Sequence, residues 1–404
     1  MNTNLFDFPL RATRAEVNLD ALEYNLSCLA SRVPNSALVP AVKADGYGHG
    51  AAAIAAACEA WGAAMLAVAN LEECLALKDN GISIPILILE DLFPEEIEPA
   101  LRHEARLSVG SMDYARKVSK TAARLKTSAM VHVNLDTGMG RMGLYVDNPA
   151  EALAEIAALE GIVLDGVFSH FPSSDETDKV FTHQQIRETQ RILKELEARG
   201  VRPNCCHIAN SGAIIDLPAD TAWDMVRPGI SIYGLYPSRE VDQNIGLRPI
   251  LRLVSRLIKV TRYTQEWTIG YGRTFTAGPG ALIGIVPIGY GDGYPRSLSN
   301  RGSALVGNTR VPIAGRVSMD MIALDLGKVP EPPAVGDEVV LIGSQGSEEI
   351  TVADIADLTG TITYEVTCDF TPRIPRLYYQ KGQLTAVKTY RGGYKTIQDK
   401  PRQE

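Results

Sequence analysis

One lysine in this chain lies where an amine could do chemistry. Lys43 ends an apolar, strand-like run over residues 37–42, and the glycine-rich segment ADGYGHG follows it directly at residues 44–50. An amine at a strand end can form a Schiff base with a carbonyl cofactor, and the backbone of a glycine-rich turn can surround an anion. Most lone lysines are solvated side chains without such a role, so the rest of the chain has to decide between the two interpretations.

Further polar residues follow other strand-like runs. They are Arg141 after residues 131–136, His170 after residues 166–169, the group His207, Asn210 and Ser211 at the run over 205–208, and Arg227 at the last repeat. In a barrel of parallel strands, catalytic groups lie at the carboxyl ends of the strands. We therefore expect these side chains to converge with Lys43 on one site. The histidines have no Asp, Glu or Cys partners at metal-site spacing, so we predict no metal.

The elements that must position these residues change in kind along the chain. From about residue 14 to 235, short apolar runs alternate about eight times with segments rich in Ala, Leu and Glu. One of these, residues 180–199, has a helical period. The repeat predicts an α/β fold with a (β/α)8 TIM-type barrel over residues 14–245. Later strand-like runs, split by Gly-Pro and Pro-Pro turns, predict a mainly β C-terminal domain over residues 246–379.

The two ends of the chain are interpreted separately. Residues 1–13 form an N-terminal segment without an apolar core of signal-peptide type. Residues 380–404 form a polar C-terminal tail, which we expect to be poorly ordered unless it docks on a neighbour. Inside the β domain, Thr351 and Asp354 predict a capped short helix over residues 351–358.

Composition excludes several classes of function. The net charge is −8 and the pI is about 5.4, with no block of Lys and Arg, which argues against a nucleic-acid partner. The most apolar runs are strand-sized and too short for a membrane span. The six cysteines are scattered and form no CxxC pair, which is typical of reduced thiols. We therefore expect a cytoplasmic protein that acts on a small molecule.

Residues 138–143 read GMGRMG and match the dinucleotide pattern GxGxxG. That motif belongs to the first strand of its fold and leads directly into a helix. Here the segment comes late in the series of repeats, and the next helix-like segment starts near Pro149. We therefore disfavour a nicotinamide dehydrogenase and predict a tight turn that aims Arg141 into the barrel mouth.

Eight segments, in order, resemble the motif series of bacterial alanine racemases. They are AVKADGYGHG, NLDTGMGRMG, SHFPSSDE, HIANSGA, VRPGISIYG, GYGRTF, VPIGYGDGYPR and GRVSMDM. The resemblance extends from about residue 13 to residue 379 and covers both predicted domains. It implies a fold-type III enzyme that uses pyridoxal 5'-phosphate, takes a small amino acid as substrate and works as a homodimer whose active sites are shared across the interface.

The resemblance also implies roles for particular residues. Lys43 would hold the cofactor and act as one of two bases, and Tyr271 of the partner subunit would be the other. Arg227 would face the pyridine nitrogen, and Arg141 would bond the phenolic oxygen and help place the substrate carboxylate. The residues implied at the phosphate are Tyr47, Ser211, Gly229 and Ile230. His170 and His207 are the imidazoles implied to orient Arg227 and the opposing base. Asn210 is also implied to bind the cofactor. The resemblance also implies a set of residues around the substrate entrance, namely Met319, Asp320, Tyr290 and Arg316.

Arg227 bears on which reaction the cofactor would support. An arginine stays protonated, so a ring nitrogen that faces it does not easily carry a proton as well. The charge of the substrate carbanion is then delocalised less into the ring. This favours return of a proton to the α-carbon over transamination or β-elimination. An Asp in this place would argue for a transaminase.

Two positions depart from the family pattern. Many relatives carry a carbamylated lysine two residues before Asp136, where this chain has Asn134. An amide cannot form a carbamate, so we expect a bound chloride or a water near Asn134 to compensate Arg141. A tyrosine that touches phosphate and narrows the entrance in relatives falls at Pro372, which predicts a wider entrance.

These observations predict a racemase that interconverts L-alanine and D-alanine by two-base proton transfer. Alternatives with the same fold are a broad-specificity or serine-preferring amino-acid racemase and, with less support, an amino-acid decarboxylase. From a different class, a non-catalytic pyridoxal-phosphate carrier would keep Lys43 and Arg227 but lack the β domain that bears Tyr271.

Overall fold

The structure, a computed structural model, describes residues 9–397. The chain divides into two compact units. We call them the barrel unit, residues 22–46 and 54–248, and the β unit, residues 9–21, 47–53 and 249–397. The first strand of the chain, β1 (Arg14–Asn18), belongs to the β unit.

The barrel unit is built on eight parallel strands. They are β2 (Ala37–Leu38), β3 (Leu66–Val68), β4 (Ile86–Ile88), β5 (Arg106–Val109), β6 (Ala129–Asn134), β7 (Ile162–Phe168), β8 (Cys205–His207) and β9 (Met225–Val226). Their order in the sheet is β2-β9-β8-β7-β6-β5-β4-β3, and a parallel bridge between Ala41 and Ala67 joins the two ends. The sheet is therefore closed, and the predicted TIM-type barrel is confirmed.

Helical segments alternate with these strands. They are α1 (Leu19–Arg32), the short turn α2 (Lys43–Tyr47), α3 (Ala51–Trp61), α4 (Leu71–Asp79), α5 (Pro94–Arg102), α6 (Met112–Leu125), α7 (Pro149–Ala157), α8 (Val180–Ala198), α9 (Ser211–Asp216) and α10 (Pro218–Thr221). Every residue of β3 and β4 is buried, as expected for parallel strands covered on both faces. The side chains of Asn70, Ser111 and Asn210 cap α4, α6 and α9 by accepting a backbone N–H three residues on.

The β unit contains a nine-stranded sheet, a three-stranded sheet and a two-stranded hairpin. Its further strands are β10 (Leu251–Arg256), β11 (Lys259–Arg262), β12 (Trp267–Ile269), β13 (Phe275–Ala277), β14 (Leu282–Val286), β15 (Ser303–Val306), β16 (Thr309–Pro312), β17 (Ile322–Asp325), β18 (Glu338–Gln345), β19 (Glu348–Ile350), β20 (Arg376–Gln380), β21 (Gln383–Thr389) and β22 (Gly393–Thr396). The large sheet has the order β16-β15-β18-β10-β1-β20-β21-β22, with β19 paired to β18. The small sheet has the order β11-β14-β17, and β12 pairs with β13.

Two short helices complete the β unit, α11 (Val352–Thr359) and α12 (Thr363–Cys368). The predicted capping box is confirmed. The Thr351 hydroxyl accepts from the Asp354 N–H at 3.0 Å, and the Asp354 carboxylate accepts from the Thr351 N–H at 2.9 Å. The helix then ends at Gly360, whose φ of 74° is the left-handed conformation that glycine favours.

Two boundaries differ from the sequence prediction. β1, expected to begin the barrel, lies in the large sheet of the β unit, antiparallel to β10 and parallel to β20. The residues after 379, expected to be poorly ordered, continue that sheet as β21 and β22. The end of the predicted tail, residues 398–404, and residues 1–8 lie outside the described residues. Because β1 pairs with strands far along the chain, its local pattern does not reveal which unit it joins.

Candidate active site

Lys43 is followed by a left-handed turn. Ala44, Asp45 and Gly46 have φ angles of 51°, 53° and 62° and ψ angles of 51°, 46° and 46°. Tyr47 continues the turn with a φ of 51°. A non-glycine residue in this conformation costs roughly 1–2 kcal/mol, so the turn is strained backbone beside the predicted reactive amine. Such strain persists only where neighbouring contacts fix it.

Hydrogen bonds fix this turn. The Gly46 N–H donates to the Val42 carbonyl at 2.9 Å, which closes one left-handed helical turn. The Ala44 N–H donates to Oε1 of Glu73 at 2.6 Å, and the Ala69 N–H donates to the other oxygen of Glu73 at 2.8 Å. One carboxylate from α4 therefore ties the segment after Lys43 to the end of the neighbouring strand β3.

The charged residues predicted at the strand ends meet around His170. Burial of the ring is the main reason why the pKa of His170 lies well below its usual value, and the positive charges of Arg227, Arg141 and Lys43 lower that pKa further. Charges act on a neighbouring pKa over short distances, so Arg227, Arg141 and Lys43 all lie near this one ring. His170 is neutral at neutral pH.

Arg227 is the buried centre of this group, with 6% of its surface exposed. Its Nη1 donates to Nδ1 of His207, and its Nη2 donates to the Ser169 carbonyl at 2.6 Å and to Nδ1 of His170 at 3.2 Å. These partners are all neutral, and no carboxylate in the described part of the chain pairs with Arg227. Burial, and then the charge of Arg141, lowers the pKa of Arg227 to about 9, so the guanidinium is charged at neutral pH.

His207 lies between Arg227 and a histidine that sequence reasoning did not single out. The ring of Phe168 stacks on His207 with the centroids 5.0 Å apart, and the Arg227 guanidinium lies 5.0 Å from the same ring. On the side away from Arg227, Nδ1 of His132 lies 2.8 Å from Nε2 of His207. Burial lowers the pKa of both histidines. The sequence signal that could have revealed His132 is the presence of a histidine inside the apolar run that forms β6.

The GMGRMG segment forms a turn that carries Arg141. Oδ1 of Asp136 accepts from the N–H groups of Gly138 at 2.9 Å and Gly140 at 3.1 Å. Gly138 has a φ of 138°, and a Cβ atom there would lie 2.5 Å from the ring of Phe181. The next helix after this turn is α7, so the segment does not open a helix as a dinucleotide-binding turn does. Arg141 is exposed, and Asn134 is buried at the end of β6.

Ser211 forms the centre of a small cradle of donors. Its hydroxyl oxygen accepts from the N–H of Gly229 at 2.9 Å and from the N–H of Ser231 at 3.3 Å, and lies 2.9 Å from the Ser231 hydroxyl. The Ser211 oxygen thus accepts from both backbone amides, and one hydroxyl hydrogen of the Ser211–Ser231 pair can still donate to an anion. Ser231 was not predicted. Ile230 lies between the two amides in the chain.

Asn210 has a structural role beside this cradle. Its Oδ1 accepts from the Ala213 N–H at 3.1 Å and from the Ser174 hydroxyl at 2.6 Å, and its Nδ2 donates to the Phe171 carbonyl at 3.4 Å. Asn210 is therefore the N-cap of α9. A contact of Asn210 with a cofactor stays a prediction.

Tyr271 lies at the tip of the β12–β13 hairpin and is 73% exposed. A buried cluster holds this hairpin against the small sheet; it consists of Ile269, Ala277, Ile283, Ala314 and Ala323. The Arg316 guanidinium packs against the turn, since a Cβ atom on Gly272 would lie 2.9 Å from it. The tyrosine is thus presented outward on a rigid support.

The other predicted entrance residues lie near one another in the β unit. The Tyr290 N–H donates to the Ser318 carbonyl at 3.0 Å, and the Gly291 N–H donates to the Met319 carbonyl at 2.8 Å. Asp320 accepts from Nη2 of Arg373 at 2.7 Å. Met319 is 52% exposed and Tyr290 is 43% exposed.

Arg376 organises the part of the β unit that contains Tyr47. This fully buried arginine donates from Nε to the Gly48 carbonyl at 3.0 Å and from Nη2 to the Phe370 carbonyl at 2.6 Å. It therefore ties the segment after the buried Tyr47 to the loop in which Pro372 is exposed. Sequence reasoning did not single out Arg376.

Three side chains in the barrel could in principle approach one metal ion. The ligand atoms of His132, Cys205 and His207 lie within 4.8 Å of one another. Burial raises the pKa of the Cys205 thiol to about 12, whereas a metal needs the thiolate. Both histidines already bond one another, and the Arg227 cation adjoins them. Hydrogen bonding explains this cluster better than a metal does.

The barrel unit thus combines an amine at a strand end, a buried cation and a pair of buried serine hydroxyls. These features define a barrel enzyme suited to an anionic carbonyl compound that reacts with an amine.

Comparison with known proteins identifies the family. The chain matches the family models "Alanine racemase, N-terminal domain" over residues 17–237 and "Alanine racemase, C-terminal domain" over residues 250–378. It is 41% identical over 389 residues to alanine racemase 2 of Caldanaerobacter subterraneus subsp. tengcongensis, which covers 96% of this chain and 99% of that protein. The chain belongs to the alanine racemase family and is an isomerase.

Solved structures agree with this assignment. The structure of alanine racemase from Clostridium difficile 630 matches with a TM-score of 0.90 at 34% identity, over 95% of this chain and 100% of that chain. A histidine racemase from Leuconostoc mesenteroides subsp. sake matches with a TM-score of 0.85 at 28% identity, over 93% and 100% of the two chains. Among the described residues, no helix combines the length and the apolar character needed to cross a membrane.

Proposed function

We propose that this protein binds pyridoxal 5'-phosphate through Lys43 and interconverts L-alanine and D-alanine with Lys43 and Tyr271 as the two bases. The observation that carries the proposal is the buried Arg227 cation, which is surrounded by neutral partners and lies in one site with Lys43. When bound, the cofactor supplies an electron sink that acidifies the α-hydrogen of an amino acid.

The donor set of the barrel unit fits this cofactor. Lys43 supplies the amine, Arg227 supplies an N–H donor for a ring nitrogen, and the Ser211–Ser231 pair in the Ser211 cradle supplies a hydroxyl donor for a phosphate. Tyr47 and Ile230 are proposed phosphate contacts because the resemblance implies them. A guanidinium only donates, so a ring nitrogen that faces Arg227 must accept and carries no proton of its own.

Two bases on opposite faces of the substrate are needed to invert its α-carbon. Nζ of Lys43 would take or return the proton on one face, and the Tyr271 hydroxyl would do so on the other. Tyr271 is exposed in the single chain, which suits a residue that completes the site of a second copy. We infer a twofold homodimer in which Met319, Asp320, Tyr290 and Arg316 surround the entrance to that site.

Arg141 is proposed to place the substrate carboxylate, because it is a charged donor whose charge acts on His170, as the charge of Lys43 does. We propose a chloride or a water between Arg141 and Asn134. Racemisation should then be unaffected by removal of dissolved carbon dioxide, and replacement of chloride by a bulky organic anion should lower it if chloride is the partner. A requirement for carbon dioxide would contradict the proposal.

A broader substrate range is the second candidate function. Pro372 is exposed in a loop that Arg376 holds in place, and a proline offers neither the bulk nor the hydroxyl of a tyrosine. The similarity to a histidine racemase shows that this fold occurs with a larger side chain as substrate. We also propose a cytoplasmic location, since none of the six cysteines forms a disulfide in the described residues.

The proposed function is tested with purified protein. We expect yellow protein whose absorbance is lost on treatment with borohydride, with the reduced adduct mapped to Lys43 by peptide mass spectrometry. Racemisation of both alanine enantiomers should accompany the colour. An adduct on another lysine, or bound cofactor without racemisation of any amino acid, would refute the proposed function.

A further inference from the structure

Strand β6 departs from regular geometry in order to accommodate His132. Its register with β7 shifts between Val131 and His132, and a bulge of this kind re-aims a side chain. Gly166 on β7 stands opposite His132, and a Cβ atom there would lie 2.2 Å from Nδ1 of the imidazole. A glycine inside a strand weakens it and often marks a close approach. Two local irregularities thus make room for one imidazole.

The hydrogen bonds from Arg227 to His132 run in one direction. A guanidinium can only donate, so Nδ1 of His207 accepts from Arg227 and carries no proton. Neutral His207 then has its proton on Nε2 and donates it to Nδ1 of His132, 2.8 Å away. Neutral His132 in turn carries its proton on Nε2, which lies 3.4 Å from Oδ2 of Asp165.

Asp165 ends this series with a negative charge. Its carboxylate also accepts from Nε of Arg106 at 3.1 Å and from Nδ2 of Asn204 at 3.0 Å. His132, Asn204 and Arg106 hold the pKa of Asp165 well below its usual range. The 3.4 Å contact is long, but Nε2 of His132 has no hydrogen bond within the described residues. The carboxylate is therefore the group toward which that N–H is attracted.

We propose that His132 and Asp165 are positioning residues that fix the tautomer of His207 and thereby hold Arg227 in place. In the opposite tautomer, His207 would present an N–H to the N–H of Arg227, and the two donors would repel each other. The negative charge of Asp165 makes that arrangement unfavourable, because it attracts the proton of His132 to Nε2 and leaves Nδ1 to accept. The inference rests on the proposed function only for the role of Arg227 toward the cofactor.

A matched pair of variants tests the proposal. His132→Asn keeps an acceptor near the position of Nδ1, whereas His132→Leu has similar bulk and offers none. The tautomer of His207 is measured by nitrogen-15 NMR of the holoenzyme labelled at its six histidines, and kcat and KM for both alanine enantiomers are measured in parallel. Asn204→Ala is the control, since it removes a bond to Asp165 outside the series.

The expected results distinguish a positioning role of His132 from general damage to the fold. The parent protein and His132→Asn should show His207 protonated at Nε2 only. His132→Leu should show a mixture of tautomers and about tenfold lower kcat in both directions, with KM changed less than twofold, a loss typical of supporting residues. Asn204→Ala should match the parent. If His132→Leu does not fold, Asp165→Leu and Asp165→Asn form a second pair with the same expectation, because the amide retains an acceptor for His132.

Two results would overturn the proposal. One is a parent protein with His207 protonated at Nδ1. The other is equal tautomer populations and equal kcat in the acceptor-bearing and acceptor-lacking variants. A parent protein that shows the expected tautomer but racemises no amino acid would instead refute the proposed function and leave the positioning of Arg227 intact.

Discussion

The centre of the barrel unit and the hairpin and entrance loops of the β unit present their predicted site residues in opposite ways. In the barrel unit, Arg227 and His207 are buried and bonded to each other. In the β unit, Tyr271 and Met319 are 73% and 52% exposed. Exposed clusters of large apolar and aromatic side chains mark surfaces that bind something. The barrel half of the site is therefore arranged by its own chain, whereas we expect the β half to act only after assembly.

The largest expected effect separates the two bases. Lys43→Ala should abolish both covalent cofactor linkage and racemisation, because no other group is proposed to form the Schiff base. Tyr271→Phe should keep the yellow colour and lose about 10²–10⁴-fold in rate, the usual contribution of a general acid or base. Exchange of the α-hydrogen with solvent, followed separately for the two enantiomers, should be affected unequally. Equal loss for both enantiomers would contradict the two-base assignment.

Mixing the two inactive variants tests whether the β unit acts on a second copy. A hybrid dimer of Lys43→Ala and Tyr271→Phe subunits has one site with both parental groups if Tyr271 crosses the interface. After random exchange of equal amounts, about a quarter of the parental activity should return. Subunit exchange is confirmed by mass spectrometry with one isotope-labelled partner. Proven exchange without recovered activity would place Tyr271 in the site of its own chain.

The buried half of the site should make folding stability depend on acidity. His132 and His207 are fully buried, and burial lowers their pKa values in the folded protein. Below their unfolded pKa of about 6.5, the unfolded chain therefore binds more protons, and stability falls as the pH falls. Each imidazole contributes up to about 1.4 kcal/mol per pH unit. Urea unfolding between pH 7.5 and 5.5 measures the slope, and His132→Asn should reduce it by the contribution of one imidazole.

The loop that contains Pro372 should affect the choice of substrate rather than the rate with alanine. Pro372→Tyr should raise the preference for alanine over serine and over a longer amino acid, by about 1–3 kcal/mol for each methylene excluded. The measurement is the ratio of kcat/KM values in the parent and the variant. A parent protein already strict for alanine, or ratios that do not change, would show that Pro372 does not control the entrance. Pro372→Ala serves as the control for loss of the ring alone.

Much of the fold could be predicted from local patterns in the sequence. The helix predicted over residues 180–199 begins at Val180, and the one predicted near Pro149 begins at Pro149, because a helical period and a proline at a helix start are local signals. By contrast, β1, which the local pattern assigned to the barrel, pairs with β10 and β20 in the large sheet. Pairing in sheets depends on distant partners, and that information is absent from a local window.

The residues of the site divide in the same way, into those that sequence motifs predicted and those that depend on distant contacts. Family motifs pointed to Lys43 and Arg227, whereas His132 and Arg376 escaped notice because each acts through contacts with residues far along the chain. The left-handed turn at Ala44 and Asp45 was also not predictable from local preference, since alanine disfavours that conformation. Positions where tertiary structure overrides local preference are typical of functional sites.

That turn has a consequence for the order of events during folding. Its three non-glycine residues, Ala44, Asp45 and Tyr47, together carry a conformational cost of roughly 3–6 kcal/mol. Until α4 brings Glu73 to the Ala44 N–H, the turn lacks one of the contacts that offset this cost. The amine of Lys43 therefore reaches its working geometry late, after neighbouring elements of the barrel have met. The yellow colour that develops during refolding would then report the amount of completed barrel rather than the amount of polypeptide.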